Sequence, residues 1–314
     1  MREKKKFVVY YKKEKFLPDP FADFGEKRDV HYALFIAGHK KGYDMFISSG
    51  VDSYKNKLTF TKNLLFDGEK FVSFEGDIVA DAILDRSAGL YFPKENISSK
   101  VLNEISFKKL CADKFATYKY LGELVAKTFL VENQKDFQKN IKNFSDDELI
   151  VFKPVNGMQG KGIIIDVANN MKKTKLKDDQ KYILQKFIDT SAGIEGIVDG
   201  LHDLRVVIVE GEIVWCHVRR PKAGTYLANV ALGGSIEEVE INRIPSYIID
   251  AVHKIQSMID NKYNMPLYSI DFGISSKTPY VFELNDQIGF PKVSMKNKDL
   301  FISNIIKSLE RLSR

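Results

Sequence analysis

The chain has 314 residues, of which 44% are hydrophobic and 29% are charged, with a formal net charge of +6. This composition is typical of a soluble globular protein, and the length predicts two or three subdomains. No apolar run is long enough for a membrane span or a secretory signal, and the charge forms no basic stripe, which argues against nucleic acid as a partner. The two cysteines are too few for a disulfide framework, so we predict a cytoplasmic protein.

The first third of the chain predicts a small α/β unit. Residues 7–11 have the pattern of a buried strand, and residues 28–40 have the apolar spacing of a helix that ends before Gly42. Further strands are predicted over residues 43–47 and 78–84. Strand, helix and strand in this order favour a parallel sheet.

The remainder predicts a helix followed by a region rich in strands. Asp113 is a suitable N-cap for a helix that extends to Leu121, and Glu210-Gly211 is suited to a tight hairpin turn. Strands are predicted over residues 149–153, 163–167, 182–187, 204–209, 213–219, 267–274 and 280–285. A long amphipathic helix is predicted from Pro245 to Ile259, and a final helix from about Asp299.

A lysine and a glycine-rich loop lie between two predicted strands. Lys153 ends the first strand and can hold polyphosphate, while Gly157, Gly160 and Gly162 let backbone amides approach phosphate oxygens. Lys161 is followed by glycine rather than Ser or Thr, so the loop is not a Walker A motif. A plain turn between two strands is the alternative interpretation.

Two carboxylates and an amide converge in the last pair of strands. Glu283 and Asn285 are two residues apart and share one face of their strand, and a turn near Lys277 places Asp271 beside Glu283. Such an oxygen set suits a hard cation carried with phosphates. Hydrogen-bonding or capping roles are the alternative, but burying acids without a partner is costly.

Arginines lie on the two preceding strands. Asp203-Leu204-Arg205 is on one strand and Arg219-Arg220 on the next. Guanidinium groups bind phosphate and carboxylate, and they can stabilise a developing acyl phosphate. Surface salt bridges remain the alternative for each arginine. The five histidines form no ligand cluster, and we assign them no role.

These motifs, in this order, resemble the ATP-grasp superfamily, especially its glutathione synthetase-like and ribosomal-protein glutamate-ligase-like branch. The resemblance covers about residues 113–291. The matching positions are Asp113-Lys114, the loop from Lys153 to Gly162, the hinge-like segment 184–188, Asp203-Leu204-Arg205, Asn229 ahead of Gly233-Gly234, and the set Asp271, Glu283 and Asn285.

The resemblance implies an α+β ATP-grasp fold in which two α+β subdomains clasp ATP. It implies a substrate subdomain over residues 1–110, a lid subdomain over 111–184 and a metal-bearing subdomain over 185–314, with an α/β fold for the first. It further implies ATP with two Mg²⁺ ions, which Mn²⁺ can replace, and a homo-oligomer is a reasonable expectation.

The resemblance also implies roles for particular residues. For ATP they are Lys114, Lys153, Gly157, Gly160, Gly162, Gln185, Lys186, Phe187, Ile188 and Asp203. For the metal they are Asp271, Glu283 and Asn285, and for catalysis Arg205, Arg220 and Asn229. The implied reaction joins a carboxylate, such as an amino acid or peptide, to an amine through an acyl phosphate.

Some positions depart from the family pattern. Leu227 occupies a position where the glutamate-ligase branch has arginine, and Gln185-Lys186 replaces a hinge glutamate. Arg86 is a candidate for binding a substrate carboxylate, with a structural salt bridge as its alternative. An ATP-grasp kinase and a nucleotide-binding regulatory protein without turnover are the alternative functions.

Overall fold

The computed structural model describes residues 3–88, 98–157, 160–177, 179–228 and 233–314. Within these residues the chain forms sheets of six, four and five strands and one two-stranded ribbon. None of the described helices is both long and apolar enough to cross a bilayer.

The first unit is built on the six-stranded sheet. Its elements are β1 (Lys6–Tyr11), α1 (Arg28–Lys40), β2 (Asp44–Ser49), β3 (Thr59–Phe60), β4 (Asn63–Phe66), β5 (Phe71–Phe74), β6 (Ile78–Val79), β7 (Ala82–Asp85), β8 (Val101–Leu102) and α2 (Ile105–Ala112). The strand order is β5-β4-β2-β1-β7-β8. Strand β1 is parallel to both β2 and β7, which confirms the parallel pairing expected from strand, helix and strand.

The predicted helix over residues 28–40 is confirmed, but the single strand predicted over residues 78–84 is wrong. Strand β6 pairs with β3 in the ribbon, whereas β7 joins the large sheet. The strand is interrupted at residues 80–81. At this point the Asp81 carboxylate accepts a hydrogen bond from the backbone N–H of Lys6, at 2.8 Å. The hydrophobic alternation continues through this break, so the sequence pattern does not reveal it.

The second unit is the four-stranded sheet with two short helices. After α3 (Lys114–Leu121) come β9 (Thr128–Val131), α4 (Gln134–Asn140), β10 (Leu149–Pro154), β11 (Ile164–Val167), α5 (Ala168–Met171) and β12 (Tyr182–Lys186). The order is β11-β10-β12-β9, with antiparallel pairing throughout. Its own small core contains Phe137, Ile150 and Phe152.

The third unit is the five-stranded sheet. Its elements are β13 (Asp203–Val209), β14 (Glu212–Arg220), β15 (Ser235–Val239), α6 (Ser246–Tyr263), β16 (Tyr268–Ser275), β17 (Thr278–Asn285) and α7 (Lys298–Leu312). The order β15-β14-β13-β16-β17 is antiparallel. The predicted turn at Glu210-Gly211 is confirmed, because both residues have the positive φ of a tight hairpin.

The five-stranded sheet buries a different core on each face. Helices α2, α3 and α6 cover one face, where Leu204, Cys216 and Ile270 are buried. Helix α7 packs against the other face near Trp215 and also against the N-terminal sheet and α1. The last helix therefore joins the first and third units, and the subdomain boundaries given above stay predictions.

Candidate active site

A row of polar side chains crosses the five-stranded sheet beside α7. Cross-strand partners put His217 opposite Arg205, Arg205 opposite Asp271, and Asp271 opposite Glu283. Partners across a sheet project from the same face, and their neighbours along each strand project from the other. The polar row therefore lies opposite the apolar face that α6 covers.

A β-bulge places Glu283 in this row. From the pair of Ser275 with Thr278 onward, regular antiparallel pairing would bring Phe282 opposite Asp271. The register shifts by one residue between Asp271 and Phe272, so Glu283 takes that place instead. The ring of Phe282 packs directly over Gly273. A Cβ at position 273 would lie 2.0 Å from the ring, so only glycine fits there. The predicted pairing of Asp271 with Glu283 is confirmed.

Asp271 is buried between two guanidinium groups. Arg205 binds both of its carboxylate oxygens at 2.6 Å, and Arg219 binds Oδ2 at 2.7 Å. Asn285 donates to the same oxygen at 3.2 Å. Burial alone would raise the pKa of Asp271, but the two arginines hold that pKa well below its usual range.

Asp203 lies at the edge of the same network. Its Oδ2 accepts a hydrogen bond from Arg219, whereas the buried Oδ1 has no hydrogen-bond partner within the described ranges. Burial and the charge of Asp271 raise the pKa of Asp203 against the opposing effect of Arg219. An open acceptor oxygen in a buried carboxylate is the kind of group that a ligand hydroxyl satisfies.

Two lysines approach the row from the second unit. Asp113 caps α3, as predicted, by accepting from two backbone N–H groups, and this fixes the start of the helix at Lys114. The Lys114 ammonium donates to the carbonyl of Gly157 at 2.7 Å and lies 3.2 Å from Glu283. Lys153 is buried on β10, where burial and the charge of Lys114 lower its pKa to about 8.

A deep cleft separates the four-stranded from the five-stranded sheet. It holds about 1040 Å³ of empty space, part of it open to solvent. The predicted site residues that line it are Lys114, Lys153, Gly157, Gly160, Gln185, Lys186, Phe187, Ile188, Asp203, Asp271 and Glu283. The structure thus brings together residues that the sequence places up to 169 positions apart.

A second, larger cavity lies on the other side of the polar row. It holds about 2250 Å³ of empty space and is lined by residues from all three units, among them Lys27, Gly157, Arg205, His217 and Asn285. Gly157, Arg219 and Glu283 line both spaces. The predicted metal ligands therefore lie where the cleft and the second cavity meet.

Two of the predicted site residues that the structure describes, Arg220 and Gly162, are not part of this arrangement. Arg220 turns to the sheet edge and pairs with Glu237 at 2.7 Å. Gly162 lies outside the cleft lining and takes a positive φ of 75°, and an added Cβ would lie 3.1 Å from Pro154. Asn229 lies outside the described residues.

Arg219, which the catalytic assignment left out, lies inside the network. A signal for it was present in the sequence, because Trp215, His217 and Arg219 alternate with apolar Cys216 and Val218. That alternation places Arg219 on the polar face of the strand. Burial of Cys216 and Val218 in the opposite core confirms the alternation.

The fold is the ATP-grasp fold of solved ligases. Over 99% of the chain, the fold matches the D-alanyl-alanine synthetase A of Vibrio cholerae, with a TM-score of 0.63, 11% identity and 98% of that chain covered. It also matches the VanG D-Ala:D-Ser ligase of Enterococcus faecalis, with a TM-score of 0.62, 13% identity, and 99% and 100% of the two chains covered.

At the sequence level, the model of the RimK-like ATP-grasp domain matches residues 111–309. The chain therefore belongs to the RimK-like ATP-grasp family. Curated relatives include the glutathione synthetases of Citrobacter rodentium and Pseudomonas syringae pv. tomato, which are 23% and 26% identical to it. These matches cover 69% of this chain and 74% and 73% of the relatives.

These findings confirm the predicted superfamily, the ATP-grasp fold and the assignment to ADP-forming carbon–nitrogen ligases. Enzymes of this class use ATP and divalent metal ions. The roles of individual residues in the predicted site stay predictions.

Proposed function

We propose that this ligase activates a carboxylate in the second cavity with ATP bound in the cleft, and then joins it to an amine. The observation that supports the proposal most directly is the shared boundary of the two spaces. Gly157, Arg219 and Glu283 line both. A phosphoryl group on one side can therefore meet a carboxylate on the other without either leaving its site.

The cleft offers a partner for each part of ATP. Phe187 and Tyr226, with ring centroids 5.2 Å apart, provide aromatic surface for the adenine, and the backbone of the hinge segment 185–188 lies beside them. The open Oδ1 of Asp203 can accept from a ribose hydroxyl. Lys114 and Lys153 supply positive charge for the phosphates.

The donor set near Glu283 fits a divalent cation. No three His, Cys, Asp or Glu side chains come together to hold a metal in the described part of the chain, so the third oxygen would come from the amide of Asn285. Among the residues that the structure describes, Arg205 alone donates to Asp271 Oδ1, which keeps acceptor capacity. A magnesium ion held by Asp271, Glu283 and Asn285 would neutralise phosphate charge; two ions, and replacement by Mn²⁺, are part of the proposal.

The structure changes one reason for the metal assignment. The sequence argument held that a buried acid needs a cation, and the two arginines already supply positive charge to Asp271. The metal assignment therefore depends on the oxygen set and its position between the cavities rather than on the cost of burying Asp271.

The chain's own residues provide positioning and charge stabilisation. Lys153 and Lys114 hold the phosphates while a substrate carboxylate oxygen attacks the γ-phosphorus, giving an acyl phosphate and ADP. The guanidinium groups of Arg205 and Arg219 lie beside the position where negative charge collects. An amine then attacks the acyl carbon, phosphate leaves and the amine loses a proton.

Product analysis tests the proposal. The protein is incubated with Mg-ATP and a pool of amino acids, small peptides and polyamines, and ADP, free phosphate and new masses are followed. ADP, phosphate and a condensed product are expected. ADP with a phosphorylated product and no free phosphate would contradict the proposal and indicate a kinase.

A further inference from the structure

The segment 286–290 directly follows the predicted metal ligand Asn285 and belongs to neither a helix nor a strand. All five of its residues line the second cavity. Asn285 is the last residue of β17, and the pairing of β17 with β16 ends at its partner Ser269. The path of the chain beyond Asn285 is therefore set by contacts other than the sheet ladder.

The first unit holds this segment from the carboxyl end of β7. Gln287 donates from Nε2 to the carbonyl of Asp85, the last residue of β7, at 3.1 Å. The following residue of the first unit, Arg86, donates from Nη2 to the carbonyl of Ile288 at 2.8 Å. Both contacts join residues 202 positions apart in the chain. They therefore depend on the packing of the first unit against the third.

Asn103 makes the contact nearest to the metal ligand. It directly follows β8, and its side-chain amide donates to the carbonyl of Asp286 at 3.1 Å and to the carbonyl of Leu267 at 2.5 Å. Its Oδ1 accepts from the backbone N–H of Leu267 at 2.6 Å. Leu267 directly precedes β16, and Asp286 directly follows β17. One side chain of the first unit thus joins the start of one strand to the end of the other.

Burial makes these hydrogen bonds of Asn103 difficult to replace. The residue is buried, so water does not substitute for a lost amide. A side-chain amide has two N–H groups and one carbonyl oxygen, and here all three types of contact are made to backbone groups. An apolar side chain at this position would leave the carbonyls of Leu267 and Asp286 without this donor, and the two strand ends would lose their connection.

We propose that Asn103 is a positioning residue for metal binding, because it fixes the end of β17 so that the Asn285 amide oxygen faces the metal. This inference rests on the proposed function, which supplies the magnesium site. The Asn285 amide nitrogen donates to Asp271 Oδ2 at 3.2 Å, so its Oδ1 is the atom available to a cation. A shift of Asp286 moves Asn285 directly, since the two residues are adjacent. The first unit then contributes to metal binding although the three proposed ligands lie in the third.

Nucleotide titrations with and without metal test this role without turnover. The full-length protein is titrated calorimetrically with a non-hydrolysable ATP analogue, once with Mg²⁺ and once with EDTA. The ratio of the two affinities measures what the metal contributes to binding. In Asn103→Leu this ratio should fall about tenfold or more, the usual effect of removing a group that orients a metal ligand. The affinity in EDTA should stay within about threefold of wild type.

Asn63→Leu is the matched control for a loss of stability. Asn63 is also a buried asparagine of the first unit, and its amide also donates to two carbonyls, those of Phe60 and Gly76, at 3.0 and 3.1 Å. These partners lie within the first unit, away from β16 and β17. The variant should therefore be destabilised in a similar way but keep the wild-type ratio of affinities.

Gln287→Met provides a milder test that does not depend on the folding of Asn103→Leu. It removes one hydrogen bond of the segment and keeps the length of the side chain, so the ratio should fall about threefold. The electron paramagnetic resonance spectrum of Mn²⁺ bound with the analogue is a second readout. It should change in Asn103→Leu and in Gln287→Met, because it depends on the arrangement of the ligand oxygens, and it should not change in Asn63→Leu.

Two results would overturn the inference. One is a wild-type ratio in both Asn103→Leu and Gln287→Met, and the other is an equal fall of the ratio in Asn103→Leu and Asn63→Leu. Thermal melting verifies that each variant is folded. Failure of the proposed function is distinguishable, because it would appear in the wild-type protein itself. If Mg²⁺ did not strengthen binding of the analogue there, the metal assignment would be wrong and the role of Asn103 would fall with it.

Discussion

Among single residues, the charges of the site form mutually dependent groups, and the group around Asp271 is buried. Arg205 and Arg219 stabilise the ionised form of Asp271, and Lys114 forms an ion pair with Glu283. Removing one member leaves a buried partner unpaired, which costs more than the pair itself contributes. Substitutions at these positions should therefore keep the shape of the side chain.

Glu283→Gln should abolish metal-dependent turnover while the protein stays folded. The amide keeps the volume but loses the negative charge that a divalent cation requires, so ADP release should fall by about 100-fold or more. The measurement is ADP release at a series of Mg²⁺ concentrations, with thermal melting as the test of folding. Glu132→Gln, at an exposed ion pair with Lys181, is the control. Unchanged turnover in Glu283→Gln would remove the metal assignment.

Lys153→Ala should weaken ATP binding by about 1.5–3 kcal/mol, the scale for a hydrogen bond to a charged group. Calorimetric titration with a non-hydrolysable ATP analogue measures the loss. Lys172→Ala, which removes an exposed lysine of the same unit paired with Asp146, should bind as wild type. Equal affinity in the Lys153 and Lys172 variants would eliminate the phosphate role of Lys153.

The pKa of Lys153 gives ATP binding a pH dependence. Burial and Lys114 lower this pKa to about 8, so the ammonium is lost as the pH rises through 8 and affinity should fall above it. At pH 8 about half of the free protein must take up a proton on binding, which calorimetry in buffers of different ionisation enthalpy detects. The pH dependence of folding stability has the opposite sign. Burying the charged Lys153 ammonium destabilises the protein below pH 8, and this destabilisation is relieved as the pH rises towards 10. No proton uptake at pH 8 would contradict the shift.

Among secondary-structure elements, the pair β16 and β17 determines the geometry of the site. The bulge brings Glu283 opposite Asp271, and the Phe282 ring fills the space above Gly273 while lining the cleft between the two sheets. Glycine at this position therefore affects both the register of the strands and the shape of the cleft.

Gly273→Ala should destabilise the protein by about 1–3 kcal/mol, the usual cost of overpacking, and should weaken nucleotide binding. The added methyl group would meet the Phe282 ring at 2.0 Å and push it into the cleft. Denaturant unfolding and titration with the ATP analogue are the measurements. The double variant Gly273→Ala with Phe282→Leu should recover part of the stability; two effects that simply add would show that the residues are not coupled.

For the molecule as a whole, helix α7 connects the first and third units. One continuous core contains residues of the N-terminal sheet, of β13 and β14, and of α7. The second unit has a separate core around Phe137. The first and third units should therefore unfold together, and the second unit can unfold separately.

Ile305→Ala should lower the free energy of unfolding of the joined units by about 2–5 kcal/mol, because Ile305 is fully buried in their shared core. Trp215 belongs to that core, so its fluorescence reports the transition. Lys307→Ala, on the exposed side of the same helix, should change the free energy of unfolding by less than about 1 kcal/mol. Phe137→Ala should leave the midpoint of the unfolding transition followed by Trp215 fluorescence unchanged. If Phe137→Ala shifted this midpoint as much as Ile305→Ala does, the whole chain would unfold as a single cooperative unit.

The sequence by itself determined the local features of this protein. The capping residue Asp113, the helix over residues 28–40 and the turn at Glu210-Gly211 follow from short-range backbone and side-chain chemistry, and the structure confirms each. Alternation along the strands also identified which polar side chains share a face. The ATP-binding residues were implied by the resemblance to the ATP-grasp superfamily, and most of them line one cleft.

Only the tertiary structure decided how these parts meet. A bulge adds one residue to a strand, so register depends on packing such as that of Phe282 over Gly273 rather than on local propensity. The hydrogen bonds of Arg219 depend on Asp203 and Asp271, which lie on two other strands of the sheet. Contacts of this kind are set by the packing of strands that are distant in sequence, because no local pattern specifies which charged groups meet.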